Sequence, residues 1–266
     1  MNDNYTIVSL INNKVVKDII NFFERDSKEL RLVGGCVRDA FLGRKTKDID
    51  LAANAKPNEI IEILKKNKIK YELYGYKYGS VTAFIKNKKI QITSLRKDIN
   101  QRGRDTNVIF TSDWKKDASR RDFTINSIYL SAEGKIYDYF NGQNDLYENK
   151  IKFIGKVQNR LEEDYLRIFR YYRFLGIFDI PKFSKQYERI IEINNLQAYN
   201  FLSNDIIRQE ILKMFNMPFP LNCFYKKINV NEKEKREWLK NTIIQFKKNN
   251  YKLGLNKCLN KLDLLK

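Results

Sequence analysis

The chain has 266 residues, 42% hydrophobic and 31% charged, enough for one large domain or two smaller ones with a buried core. Histidine is absent, and the three cysteines, Cys36, Cys223 and Cys258, form no Cys-x-x-Cys pair. This excludes Ser-His-Asp and Cys-His catalysis and His-Glu-x-x-His metal sites, and gives no sign of a disulfide framework or a zinc site. Chemistry must therefore rest on carboxylates, Lys, Arg, hydroxyls and metals. The formal charge of +19 points to a polyanionic partner, although a composition rich in Lys, Asn and Ile accounts for such an excess about as well. No segment approaches the ~18 consecutive apolar residues of a membrane span. Residues 1–10 lack the basic region, apolar run and small-residue cleavage site of a signal peptide, so a cytoplasmic protein is expected.

In chain order, Val15, Val16, Ile19, Ile20 and Phe23 recur at helical spacing. A short strand over 31–33 runs into Gly34-Gly35 and a helix ending near Leu42-Gly43. A second strand is expected over 48–52, and Pro57 opens a helix continuing to about Asn67. Strand-like runs follow at 68–73, 80–85 and 89–95, the last two joined by a turn at Lys86-Asn87-Lys88. Residues 97–113 are polar and apolar-poor and read as a mobile loop. Beyond Asp113 helices dominate, apart from short strands at 135–137 and 151–153. A long helical stretch is expected over 160–178 and another over 206–215, after which Pro218-Phe219-Pro220 punctuates the chain. Residues 221–266 hold 12 Lys and Arg against 4 Asp and Glu and carry a helical pattern; Lys226, Lys227, Lys247, Lys248 and Lys252 are candidate phosphate contacts or a solvated face.

The densest constellation is Leu32-Val33-Gly34-Gly35-Cys36-Val37-Arg38-Asp39 followed by Lys47-Asp48-Ile49-Asp50-Leu51. Paired glycines let the backbone turn tightly, so that amides at the next helix start face phosphate oxygens. Asp48 and Asp50 lie two apart on a strand, so both carboxylates project from one face. Such a pair suits a hard cation bound together with substrate phosphates, that is Mg²⁺. A lone Gly-Gly pair is usually only a turn and a lone Asp-x-Asp usually solvated; it is their order, with Arg38-Asp39 between them, that singles them out.

In this order the residues resemble motif A of the class II tRNA nucleotidyltransferase and bacterial poly(A) polymerase family, within the DNA polymerase β superfamily. Three further runs resemble its later motifs. Arg120-Arg121-Asp122-Phe123-Thr124-Ile125-Asn126 is similar to motif B, Asp138, Gly142 and Asp145-Leu146 to motif C, and Glu163-Asp164-Tyr165-Leu166-Arg167 with Arg170, Arg173 and Phe174 to motif D. A degraded motif E is visible in 202–211.

The resemblance implies an α+β chain: a polymerase β-like head over 1–148, an all-α nucleotide-selecting neck over 149–215 and a short basic helical body over 216–266. It implies that Asp48 and Asp50 bind Mg²⁺ and that Gly34, Gly35 and Arg38 contact a triphosphate. Arg121, Asp122 and Asn126 would hold the sugar end. Asp164 and Arg167 would read the Watson–Crick edge of CTP or ATP, with Arg170 and Arg173 beside them. A spacing of three places Asp164 and Arg167 on one helical face, where Glu163 and Arg167 also form an ordinary i,i+4 pair. The implied activity is addition or repair of the 3′-terminal CCA of tRNA from CTP and ATP. A-only, CC-only or poly(A) addition stays open, as does a catalytically retired RNA-binding protein. Gly75-Tyr76-Lys77-Tyr78-Gly79-Ser80 fits the tRNA branch better than the poly(A) branch. The sequence departs from the pattern at Gln91, where relatives usually carry an acid, at Ile206 in motif E, and in a C-terminal region shorter than the family's.

Overall fold

A computed structural model of the chain describes residues 6–46, 48–102 and 105–224. The basic segment beyond Phe224 and the Gly103-Arg104 pair lie outside the described residues. The chain adopts the expected α+β architecture and divides into two compact units. One runs up to Tyr147 and includes Lys152–Gly155; the other comprises Glu148–Ile151 and the chain from Lys156 onward.

The first unit is built on a seven-stranded sheet. Its strands are β1 (Leu30–Val33), β2 (Ile49–Ala53), β3 (Lys70–Glu72), β4 (Ser80–Ile85), β5 (Lys88–Ser94), β8 (Ile128–Leu130) and β9 (Ile136–Asp138), in the order β3-β4-β5-β2-β1-β8-β9. Only the central β2–β5 pair is parallel. The period of two divides the side chains between two faces. Val81, Ile92, Leu51, Leu32 and Leu130 form one cross-strand row, all nearly fully buried. Helices α2 (Lys14–Arg25), α3 (Gly35–Phe41) and α4 (Pro57–Lys66) pack against this sheet, preceded by α1 (Ile7–Ile11). All five apolar residues expected on the inner stripe of α2 are buried, and Asn13 caps that helix by accepting from the Val15 amide. The turn between β4 and β5 is tight, with Lys86 and Asn87 both at positive φ, and the strand resumes at Lys88.

The opposite face carries Arg31, Val33, Asp50, Ala52, Gln91, Thr93 and Tyr129. Helix α5 (Trp114–Ser119) covers part of it, with Trp114 and Ala118 packed among Val33, Ala52, Leu95 and Tyr129. Arg31 is clamped there between two rings, 3.9 Å from the Trp114 centroid and 3.5 Å from that of Tyr137, and donates to Tyr139.

Three expectations need correction. The strand expected over 151–153 is only a single bridge, from Phe153 to Phe123. Residues 97–113 are not a structureless loop: β6 (Arg96–Arg102) and β7 (Asp105–Phe110) pair antiparallel as a two-stranded ribbon. The run Thr106-Asn107-Val108-Ile109-Phe110 has β-branched and aromatic residues enough for a strand, and Phe110 packs at Gly79. Nor is 160–178 one helix. It is α7 (Val157–Glu163) and α8 (Leu166–Leu175), broken at Asp164, whose φ of −158° is extended. The Asp164 carboxylate accepts from the Leu166 amide at 3.0 Å, so its own side chain restarts the helix.

The second unit sets α8 against α10 (Asn204–Phe215) and a 3₁₀ turn at Pro220–Phe224, with α9 (Lys185–Phe201) beside α7 and α8. Among the described residues no helix is long and apolar enough to cross a membrane.

The motif C residues act as a brace inside the first unit. Asp138 accepts from the Gly142 and Gln143 amides, both at 2.8 Å, at the start of α6 (Gly142–Tyr147). Buried Asp145 accepts from Thr124 at 2.6 Å. A Cβ on Gly142 would meet the Thr124 carbonyl oxygen at 2.3 Å, backbone that cannot rotate away. Gly142→Ala should therefore cost about 2–3 kcal/mol, read as a lowered urea midpoint. Gly43→Ala, at positive φ with open space around it, should cost about 1 kcal/mol; equal losses would remove the brace.

Candidate active site

The glycine turn behaves as its sequence demands. Gly34 has φ 76° and ψ −132°, a conformation reserved for glycine, and leads β1 directly into α3. A Cβ there would stand 3.6 Å from Arg121 Nη1 and 3.9 Å from the Asn126 carbonyl, so the turn lies against the motif B segment. Cys36 is packing rather than chemistry: burial, above all, pushes its thiol up to about 12.

Arg38, on α3 and 9% exposed, links motifs A and B. It donates to Asp39 Oδ1 from Nε (2.9 Å) and Nη2 (2.7 Å), and from Nη1 to Asn126 Oδ1 at 2.9 Å. Asn126 in turn donates to Asp122 Oδ1 at 3.3 Å, which also accepts from the Phe123 amide. Arg38, Asp122 and Asn126 thus form one buried chain beside the Gly34 turn.

Asp50 sits on β2 and Asp48 immediately before it, not within the strand. Exposure still alternates through Asp48-Ile49-Asp50-Leu51, with both aspartates on the less buried side. Burial raises the pKa of Asp50, the positive charge of Arg121 opposes the shift, and Asp48 adds to it. Gln91 occupies the position in register with Asp50 on the neighbouring β5. Both line a cavity of about 240 Å³ together with Thr93, Arg96, Arg120 and Arg121.

Arg121 reaches that cavity because of a residue the motif reading missed. Asp117 on α5 is 1% exposed and receives four donors. Oδ1 accepts from the Arg96 amide (3.2 Å) and Arg120 Nε (2.9 Å), and Oδ2 from Arg121 Nη2 (3.2 Å) and the Tyr129 hydroxyl (2.7 Å). Arg121 also donates to the Tyr129 hydroxyl and stacks 5.3 Å from that ring. Burial works to raise the Asp117 pKa, but the charges of Arg120 and Arg121 and the Tyr129 hydrogen bond overcome it and hold the group at about 2. The available signal was spacing: Asp117 precedes Arg120 and Arg121 by three and four residues on one helical turn.

The motif D residues belong to the second unit. Arg167, 4% exposed, donates from Nη1 to the Arg160 carbonyl (2.6 Å) and to Glu163 (2.7 Å), so the i,i+4 pair exists and is largely buried. Asp164 is 8% exposed and, as described, sits at the break between helices, not on a helical face with Arg167. Arg173 pairs with buried Glu210 of α10 at 3.3 Å. Arg170 lies on α8 with its Nε buried.

Because the Asp117 pKa is lowered from 3.8 to about 2, its contribution is complete above about pH 4 and lost as pH falls towards 2. Wild type should lose about 2 kcal/mol of unfolding free energy across that window through this group. Asp117→Asn should lack that component and be destabilised already at pH 7; unfolding curves from pH 7 to 2 that run parallel for both proteins would contradict this.

Residues 30–152 match the family described as the poly A polymerase head domain. Human mitochondrial CCA tRNA nucleotidyltransferase 1 is 44% identical over 168 residues, covering 62% of this chain and 39% of the human protein. The CCA-adding enzyme of Lactobacillus gasseri is 34% identical over 198 residues, covering 74% of this chain and 48% of that enzyme. The crystal structure of the Bacillus stearothermophilus CCA-adding enzyme in complex with CTP aligns with a TM-score of 0.69 at 29% identity, over 77% of this chain and 49% of that one. The chain spans about half the length, or less, of these relatives. Residues 30–152 thus carry the poly A polymerase head domain, and over that region and beyond it the chain is similar to CCA-adding enzymes.

Proposed function

We propose that this protein adds or repairs the 3′-terminal CCA of tRNA from CTP and ATP without a nucleic-acid template, releasing pyrophosphate. The observation that carries this reading is the face of the sheet on which Asp50, with Asp48 just before it, lies beside Arg121 and next to the Gly34 turn. A head of 1–148, a neck of 149–215 and a body of 216–266 are part of the same proposal, as is a cytoplasmic location.

The donor set fits a divalent cation. Two carboxylates of like charge, one of them raised in pKa by burial, gain from a shared cation. Among the described residues no group of three or more Asp, Glu, Cys or His forms a complete metal cage. Mg²⁺ is the cation proposed for the Asp48 and Asp50 pair because it keeps water and substrate phosphates among its ligands. Held by Asp48 and Asp50, Mg²⁺ would supply neutralisation of triphosphate charge and a lower pKa for the attacking hydroxyl.

The remaining work falls to the chain itself. The Gly34-Gly35 turn offers backbone amides without a side chain in the way, and Arg38 is held by Asp39 and Asn126 in a fixed pose beside them. Arg121, held in place by its ion pair with Asp117, faces the developing negative charge. Asp122 and Asn126 orient the sugar. In the second unit Arg167 presents donors to a base edge and Asp164 an acceptor for an exocyclic amine, and Arg170 and Arg173 on α8 complete the nucleotide-binding set. Positioning and electrostatics, rather than covalent chemistry, supply the rate.

The test is to incubate tRNA lacking its last three nucleotides with CTP and ATP and to sequence the product. The expected product ends in CCA; salt-sensitive tRNA binding with no incorporation would instead favour a retired RNA-binding protein. Asp48→Asn and Asp50→Asn should each lower incorporation by about 10³-fold while leaving tRNA binding within about twofold. Gln91→Ala should cost less than about tenfold if two aspartates suffice; a loss as deep as that of Asp50→Asn would make Gln91 a required part of the site.

A further inference from the structure

Asp50 stands between two structural neighbours. On one side is β1, which ends at Val33 and turns through Gly34-Gly35; on the other is β5, in register at Gln91, and then β4. In-line transfer places the attacking oxygen and the departing pyrophosphate on opposite sides of the α-phosphorus. If the triphosphate lies at the Gly34-Gly35 turn, as proposed above, the RNA end must approach from the β5 and β4 side. There the sheet face opens into the cavity, walled by Gln91, Thr93, Arg96 and Arg120.

Arg120 is held in that wall by charge. Its Nε donates to Asp117 Oδ1 at 2.9 Å, and Nη1 lies 3.9 Å from Asp98 Oδ2. Arg96 is fixed next to it by Asp98 at 2.9 Å and by the Tyr78 carbonyl. On the sheet, the Thr93 and Ser80 hydroxyls lie 2.7 Å apart. A guanidinium fixed at a polar cavity of this kind matches the oxygens of a phosphodiester. Resting on the proposed nucleotidyl transfer, we infer that Arg120, with Arg96 and Thr93 beside it, receives the last internucleotide phosphate of the RNA 3′ end being extended.

The experiment compares tRNA-derived primers whose last internucleotide linkage is either a phosphodiester or an uncharged methylphosphonate, in the full chain and in Arg120→Ala. In wild type the neutral linkage should raise the primer KM about tenfold, the loss of one charge-assisted contact. A neutral linkage ten nucleotides upstream should leave it unchanged. Arg120→Ala should raise the primer KM by a similar factor with the normal primer and show no added penalty with the neutral one, while the KM for CTP moves less than twofold. The inference is overturned if the two penalties multiply, if Arg120→Ala raises the KM for CTP instead, or if the terminal linkage matters no more than the upstream one. The last comparison uses wild type alone, so it holds even if the variant fails to fold. Failure of the underlying reading looks different: wild type would extend no primer at all.

Discussion

A carboxylate with almost no contact with water sets the geometry of the first unit. Burying Asp117 is tolerable because two arginines, a tyrosine hydroxyl and a backbone amide satisfy both of its oxygens. The arrangement also works in reverse, since neither guanidinium can leave the wall of the cavity without stranding a buried charge. Asp117 can occupy that place only because α5 lies flat on the sheet, held by Trp114 against Arg31 and Tyr129. Aromatic packing fixes the helix, the helix fixes the carboxylate, and the carboxylate fixes Arg121, the cation that acts on Asp50.

The two faces of the sheet divide the labour. One is a largely apolar layer beneath α2, α3 and α4, where stability is made. The other mixes aspartate, glutamine, threonine and arginine around a cavity, an arrangement that is costly unless each group is paired or meets a ligand. Motif C belongs to this support: Asp138, Gly142 and Asp145 lock the turn that carries Asn126, and Asn126 in turn anchors Arg38. In the second unit, Arg173 and Glu210 join α8 to α10 in a comparable buried pair.

Local features were the legible ones. The Gly34 turn, the alternation through Asp48 and Asp50, the Pro57 helix start and the stripe on α2 each depend on a few neighbouring residues, so sequence pattern determined them. In the sequence the ribbon of β6 and β7 looks like a loop, because its polarity masks its β-branched residues. The break at Asp164 is hidden in the sequence because the helical period runs on through it, while the aspartate side chain competes for backbone amides. Asp117 is legible only in part: its spacing to Arg120 and Arg121 shows in the sequence, its other partners do not. Its partners at 96 and 129 come from other strands, and only the packing of α5 brings them together.

The proposed activity depends on two neighbouring acids, Asp48 and Asp50, gathering a cation and a triphosphate on the open face of the sheet. Calorimetric titration of the protein with a non-hydrolysable CTP analogue, with and without Mg²⁺, addresses this directly. Wild type should bind the analogue at least tenfold more tightly with the metal present, and a protein carrying Asp48→Asn and Asp50→Asn together should bind it equally in both conditions. Metal-dependent tightening that survives the loss of both carboxylates would contradict the account.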